Sequence, residues 1–578
     1  MKRNLLGLAL LLVATSSVAQ VAIATLAPEL VGRTDNNSAD VVVRFTTPIT
    51  AAHWAKITSR GGTVIDDFSF IKALHAKLPA SQLKALSQDG EVDYVSPNRS
   101  MRSALNNTTA AVLANYAWGV GLDGTGVGVA VIDSGIFPIG DLRTADKTQS
   151  RVVFNYDTIG GGTSDGYGHG THVAGIIAGN AAASQCPNCD VPLQGIAPNA
   201  TLLNFHALDS TGTGTDTSVI NAIYKAIQLK DTYNIRVMNL SVGRPVYESY
   251  QKDPLCKAVE AAWNAGIVVV VAAGNDGRND SLGNEGYGTI NAPGNDPYVI
   301  TVGAMNSMGT PDRGDDVMTT YSSKGPTAID HVVKPDLVAP GNMVISLQAT
   351  GSTLVTEYPG NRPPVGYYHV GDGGPPSAKY FTLSGTSMAT PVVSAAAALL
   401  LQRFPSLTPD QVKARLMKTA YKNFPQYTTI NTDGTTYTIQ YDVFTVGTGY
   451  LDLQAALSDF DMPTREFGDG NRNDWRNLSA KSPTAVYDKK TDRVYFMADA
   501  SGVWGSSPMW HAAGVWGPSA FVGGSSAMWG SSALWGSSAM WGSSTTEAFS
   551  ALWGSSAMWG SSSGATDPMS IELNGDTQ

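Results

Sequence analysis

Three short stretches of this 578-residue chain carry, in order, a carboxylate, an imidazole and a hydroxyl. Asp133 closes the apolar run Val131-Ile132 and is followed by Ser134-Gly135-Ile136. His169 stands in Gly168-His169-Gly170-Thr171-His172-Val173-Ala174-Gly175, where glycines let the backbone turn tightly into a small-residue helix. Ser387 stands in Leu383-Ser384-Gly385-Thr386-Ser387-Met388-Ala389-Thr390-Pro391, a loop that enters a long apolar helix with Pro in its first turns. Singly, the Asp and the Ser read as helix caps and the His as a structural residue. As a set, each in a glycine-containing turn between strand and helix, they are the parts of a nucleophilic catalyst.

Such chemistry needs rigid elements to hold three distant turns together. Between about residues 127 and 457, apolar strands such as residues 127–132 and 267–273 alternate with helical segments such as residues 217–229 and 408–419. Strands without polar alternation are buried on both faces, and the helices between them supply the cover. The pattern predicts an α/β fold, a doubly wound and mostly parallel sheet with helices on both faces. Ligands of such sheets sit at the carboxyl edge, where Asp133 ends its strand.

Ahead of this body, residues 41–98 read as strand, helix, two apolar stretches, short helix and strand, a small α+β unit of the split βαβ kind. Residues 99–114 turn polar and read as an exposed connector. Met1-Lys2-Arg3, an apolar run over residues 5–14 and the small residues up to Ala19 or Ala24 have the order of a secretory signal. A membrane span needs about 20 apolar residues, and neither this run nor residues 391–401 reach that length. Cys186 and Cys189 can close a short loop in an oxidising compartment, which leaves Cys256 over. With 38 Lys and Arg against 48 Asp and Glu, the net charge of −10 repels phosphate backbones and disfavours nucleic acid as a partner.

Beyond Gly502 the composition changes. Trp504, Trp510, Trp516, Trp529, Trp535, Trp541, Trp553 and Trp559 recur mostly six apart in units of Trp-Gly-Ser-Ser-Ala-Met/Leu. An even spacing puts successive Trp on one face of an extended chain and scatters them around a helix. The register slips after Trp516, so a low-complexity tail is favoured over an ordered module.

The Asp-Ser-Gly, His-Gly-Thr-His and Gly-Thr-Ser-Met-Ala-Thr-Pro blocks resemble those of the subtilisin-like serine proteases, the subtilases, over about residues 124–457. The resemblance implies that Ser387 attacks the scissile carbonyl, His169 takes its proton and Asp133 holds the imidazole, with His172 as a supporting residue. It implies Asn275, in Ala272-Ala273-Gly274-Asn275-Asp276, as the oxyanion amide beside the Ser387 backbone N–H. It also implies Gly212-Thr213-Gly214, Ser241-Val242-Gly243 and Gly274 as the segments that bind an extended substrate, with small residues that suit a broad groove. Asp276 beside them is an acid that a basic side chain could pair with. Tyr321-Ser322-Ser323-Lys324-Gly325-Pro326 and residues 334–341 match two further blocks of the family. Val92-Asp93-Tyr94-Val95-Ser96-Pro97-Asn98 resembles the end of an inhibitory propeptide, which implies self-cleavage between about Arg99 and Thr109. Asp141 matches a family calcium ligand, but residues 181–192 replace the loop that would complete that site, so no metal is assigned and no cofactor is required for catalysis.

The expected organisation is a signal peptide (1–24), an inhibitory propeptide (25–105), a peptidase domain (106–460), a linker or small extension (461–500) and the Trp-rich tail (501–578). The expected function is a secreted endopeptidase of proteins and peptides, made as a zymogen inhibited by its own propeptide. Its tail would attach it to an envelope or surface component and be dispensable for catalysis. An esterase of the α/β-hydrolase kind would need Gly-x-Ser-x-Gly, whereas the Ser387 context Gly385-Thr386-Ser387-Met388-Ala389 lacks the second Gly and the chain order of the triad is wrong for it; a zinc protease would need His-Glu-x-x-His, which the chain does not contain. The alternative, an inactive protease-fold scaffold carrying an adhesive tail, needs a broken catalytic position, and none is broken.

Overall fold

The computed structural model describes residues 26–27, 30, 37–97, 105–186, 188–281, 283–370, 374–458, 479–488, 493–497 and 568–576. The chain divides into two compact units, residues 1–101 and 102–578. In the first, β1 (Ser38–Phe45), α1 (Ala51–Thr58), β2 (Thr63–Phe68), β3 (Ala73–Pro79), α2 (Leu83–Ser87) and β4 (Val92–Pro97) form an antiparallel sheet of order β2-β3-β1-β4 with two helices. Alternate residues of β1, Ala39, Val41, Val43 and Phe45, are buried against Ile57, Leu83 and Leu86 of the helices.

In the second unit α3 (Leu105–Ala111) and α4 (Ala114–Gly119) precede β5 (Gly128–Asp133), β6 (Val152–Asp157), α5 (His169–Ala178), β7 (Thr201–His206), α6 (Asp216–Leu229) and β8 (Ile235–Leu240). There follow α7 (Pro254–Asn264), β9 (Val268–Ala272), β10 (Ile300–Asn306), β11 (Val317–Met318) and β12 (Leu337–Pro340). These strands make one eight-stranded sheet of order β11-β10-β9-β8-β5-β7-β6, with β12 beside β10. Every pairing is parallel except β10 with β11, as the apolar strands predict. The strand order reverses at β5, which lies between β7 and β8, and this opens a crevice over the carboxyl ends of those strands.

A two-stranded ribbon of β13 (Val344–Leu347) and β14 (Tyr380–Leu383), with α8 (Thr353–Glu357) between them in the chain, leads into α9 (Thr386–Arg403). This helix is apolar on nearly every side and runs buried against β8, β9, β10 and α5. Its burial fixes the position of Ser387 at its first turn. Then come α10 (Pro409–Thr419), β15 (Tyr427–Thr432), β16 (Thr435–Gln440), α11 (Leu453–Ser458), β17 (Thr484–Asp488), β18 (Arg493–Met497) and α12 (Pro568–Asn574).

Two expectations change, and between two open alternatives for residues 461–500 the structure shows, among the described residues, an ordered extension. The polar stretch read as an exposed connector is helical from Leu105, and Asn107, Thr108 and Thr109 are buried. The stretch read as a linker or small extension carries the β17–β18 hairpin, and Ser482 beside it is buried, bonded to Lys413 Nζ at 2.9 Å. The end of the expected low-complexity tail forms α12, whose Ile571 and Leu573 join the core of the second unit. The signal segment, the Trp repeats and residues 98–104 lie outside the described residues. Cys186 and Cys189 are joined, and Cys256 is a buried free thiol. Among the described residues no helix is long and apolar enough to cross a membrane.

Candidate active site

The carboxyl ends of three neighbouring strands deliver most of the site. β5 ends on Asp133, β8 runs into Ser241-Val242-Gly243 and β9 runs into Gly274-Asn275. The register Ile132↔Leu240 and Leu240↔Val271 keeps these ends level. His169 opens α5 and Ser387 opens α9, so both helices present their first turns to the same edge.

Asp133 is 1% exposed and His169 6% exposed, and the Nδ1 of His169 lies 2.7 Å from Asp133 Oδ1. A carboxylate only accepts, so Nδ1 carries a proton, and in the neutral ring the lone pair is on Nε2. The Ser134 N–H also donates to Asp133 Oδ1, at 2.7 Å. Gly170 is needed at this junction, because a Cβ there would collide with the carbonyl oxygen of Gly135 and push α5 away from Asp133.

Burial alone would lower the pKa of His169, but the charge and hydrogen bond of Asp133 outweigh it. With smaller contributions from Glu572 and Asp165 they raise it to about 9. His172 moves the other way, to about 3, through burial and then the charge of His169. Its Nε2 lies 3.0 Å from the carbonyl of Val344 and 3.1 Å from that of Phe381, so a neutral ring clamps α5 to β13 and β14. His172 is thus turned away from Asp133 and into the fold, in a supporting position.

Asn275 is oriented by α9. Its Oδ1 accepts from the Thr386 N–H at 2.9 Å and from Thr386 Oγ1 at 3.0 Å, which identifies the oxygen and leaves Nδ2 over Gly385. Gly385 has φ +144°, outside the range of ordinary residues, and this turn aims the first N–H groups of α9 out of the helix. The Gly274 N–H donates to Thr386 Oγ1 at 3.2 Å. Ser387 is locked to β8 from both sides: Ser241 Oγ donates to the Ser387 carbonyl at 2.8 Å, and Ser387 Oγ donates to the Ser241 carbonyl at 3.2 Å. Asn239 Nδ2 in turn holds Ser241 Oγ at 3.0 Å.

The two expected substrate rails lie near the surface. Gly212-Thr213-Gly214 form a turn closed by the Gly212 N–H to Asp209 O at 3.0 Å and by a bridge between Leu208 and Gly214. Val242 is half-buried and Gly243 exposed. Asp276 is not an open acid: its Oδ2 accepts from Asn291 Nδ2 at 3.0 Å, and burial raises its pKa. Asp141 likewise accepts from Tyr380 OH at 3.0 Å and from the Ala183 N–H at 3.1 Å. Among the described residues no group of three or more His, Cys, Asp or Glu is placed to hold a metal ion.

Two contributors escape sequence reasoning. Asp165 is buried and accepts from the Gly168 N–H at 2.6 Å, the Thr171 N–H at 2.8 Å and Ser134 Oγ at 2.9 Å, tying the first turn of α5 to the end of β5. Burial raises its pKa to about 6 in spite of these donors. An Asp just before a Gly-His helix start is the signal that could have found it. Glu572 of α12 hydrogen-bonds Tyr167 at 3.1 Å, and the Tyr167 ring lies 6.4 Å from the imidazole of His169. Nothing local announces that contact.

Known proteins resemble this chain over the unit that carries the site. The sequence model described as the Subtilase family matches residues 124–458. The serine protease AprX of Bacillus subtilis is 37% identical over 359 residues, covering 60% of this chain and 74% of that protein. Subtilisin E of the same organism is 32% identical over 424 residues, covering 71% of this chain and 92% of its own. The thermostable alkaline protease of Halalkalibacterium halodurans is 31% identical over 359 residues, 62% of this chain and 80% of that protein.

Proposed function

The chain belongs to the subtilase family and is a serine-type endopeptidase, and from that premise we propose that it cleaves proteins through Ser387, His169 and Asp133. Subtilases need no catalytic cofactor, so every step falls to these side chains and their neighbours. The observation that carries the reading is the buried 2.7 Å contact of His169 Nδ1 with Asp133, which leaves Nε2 as the base. The Ser387 hydroxyl turns from the Ser241 carbonyl to His169, gives up its proton and attacks the scissile carbonyl. Asn275 Nδ2 and the Ser387 N–H stabilise the oxyanion. His169 then protonates the leaving amine, and a water activated by the same nitrogen releases the acyl group. An extended substrate pairs with Gly212-Thr213-Gly214 and Ser241-Val242-Gly243, with Gly274 at the floor beside Asn275.

Around this core the protein works as a secreted zymogen. Residues 1–24 direct export and residues 25–105 inhibit the peptidase until they are cut away. Because Thr108 and Thr109 are buried in α3, cleavage falls before Leu105, at the near end of the expected window. The Trp-rich segment holds the enzyme at an envelope or surface component. The test is hydrolysis of an unfolded protein substrate by wild type and by Ser387→Ala. Loss of more than about a thousandfold supports the reading, and an equal rate in both contradicts it.

A further inference from the structure

The chain ends on a segment unlike the repeats before it. Pro568-Met569-Ser570-Ile571-Glu572-Leu573-Asn574-Gly575-Asp576 has no Trp and spaces three apolar side chains two apart. Ile571 is 1% exposed, and both it and Leu573 pack into the core of the peptidase unit. Asp576 anchors the far end, accepting from the Thr320 N–H at 2.7 Å and from an Arg278 guanidinium nitrogen at 2.8 Å, while its own N–H donates to Asn342 Oδ1 at 2.8 Å. Gly575, at φ +60°, fits so closely that a Cβ would collide with Asn342 and Ser384.

Between these anchors the segment lies beside the turn that carries Ser387. The Ser384 N–H, three residues before Ser387, donates to the Glu572 carbonyl at 2.8 Å, and Asn361 Nδ2 donates to the Leu573 carbonyl at 2.6 Å. The Glu572 carboxylate meets Tyr167 through Oε2, whereas its Oε1 is buried with no hydrogen-bond partner among the described residues. A buried, half-satisfied carboxylate is costly unless a cation faces it. Tyr167, which Glu572 accepts from, lies 6.4 Å from the His169 ring, and the charge of Glu572 favours the protonated form of that ring, the form that cannot act as a base. The charged groups facing that ring are Asp133 at the end of β5, Asp165 before α5 and Glu572 of α12, while His172 stays neutral.

We propose that residues 568–576 are an inhibitory segment of this chain, docked beside the catalytic turn so that they occupy the Ser384 N–H three residues before Ser387 and place the Glu572 carboxylate on Tyr167, next to His169. A peptide substrate must displace the segment to react, and a cut before Pro568 frees the site. The proposal rests on the peptidase reading above and adds a partner for the site, the chain's own end.

The test uses the full chain and reads the rate at which a fluorophosphonate labels Ser387. Ile571→Ala and Asp576→Ala, which loosen the anchors away from the triad, are expected to label at least tenfold faster than wild type. Added synthetic peptide 568–576 is expected to slow the label competitively. Variants that are folded by near-ultraviolet circular dichroism but label at the wild-type rate or slower overturn the proposal, and leave the peptidase reading intact if wild type itself labels. No labelling of any form overturns both. Should the variants fail to fold, hydrogen exchange on wild type decides: a covalent peptidyl inhibitor on Ser387 must increase exchange over residues 568–576, and unchanged protection overturns the proposal.

Discussion

The imidazole of His169 and the carboxylate of Asp133, both buried, meet at 2.7 Å at the junction of β5 and α5. The contact fixes the tautomer, and the tautomer decides which nitrogen faces Ser387. Asp133→Asn keeps the shape but presents an amide that can force the other tautomer. Turnover is expected to fall by about 10⁴-fold with little change in KM, measured by steady-state kinetics on a peptide substrate. A loss below tenfold would remove Asp133 from this role.

The raised pKa of His169 gives the pH dependence a definite sign. An ordinary imidazole titrates at about 6.5, whereas the folded value here is about 9, so kcat/KM is expected to climb with pH until about that value. Stability runs the other way. A folded pKa above the unfolded one contributes stability that is fully present below about 6.5 and is lost as pH rises through about 9. Thermal melts of Ser387→Ala between those limits, compared with the kinetic profile of wild type, read both. A profile flat from pH 6 to 9 would contradict the assignment.

Asn275 is held by Thr386 for a task that arises only in the transition state. Asn275→Ala is expected to lower kcat by about 10²–10³-fold, the 2.7–4 kcal/mol that removal of such a donor costs in a subtilisin, with KM nearly constant. A rise in KM at unchanged kcat would make it a substrate-binding residue instead.

His172 and His169 lie on one helix three residues apart and should separate cleanly. His172→Phe removes the donor between Val344 and Phe381 and leaves buried carbonyls unsatisfied, at a cost of about 1–3 kcal/mol in denaturant unfolding. Its kcat/KM per folded molecule should stay within about tenfold of wild type, whereas His169→Ala should be nearly inactive.

The legible part of this protein is the part whose chemistry constrains local sequence. Asp133, His169, Ser387 and Asn275 sit where a strand or turn must meet a helix, and glycines such as Gly170 and Gly385 are written beside them because no other residue fits. The parallel sheet was equally readable, since strands such as Val268–Ala272 have no polar face. What stayed hidden depends on distant partners. Asn107, Thr108 and Thr109 look like a solvated connector until the fold buries them. Asp165 is one acid among many until three donors converge on it. Glu572 and Asp576 follow a long repetitive stretch, and their partners Tyr167 and Thr320 lie hundreds of residues earlier. No periodicity reports a contact of that kind.

The most direct test of the central claim is the intact mass of purified wild type and of Ser387→Ala, with the new N-terminus mapped and Ser387 probed with a fluorophosphonate. Wild type is predicted to lose the segment ahead of Leu105 and to take one adduct on Ser387, while Ser387→Ala keeps its full length. Loss of the same segment from Ser387→Ala at the same rate, together with a wild type that takes no adduct, would contradict Ser387 as the nucleophile.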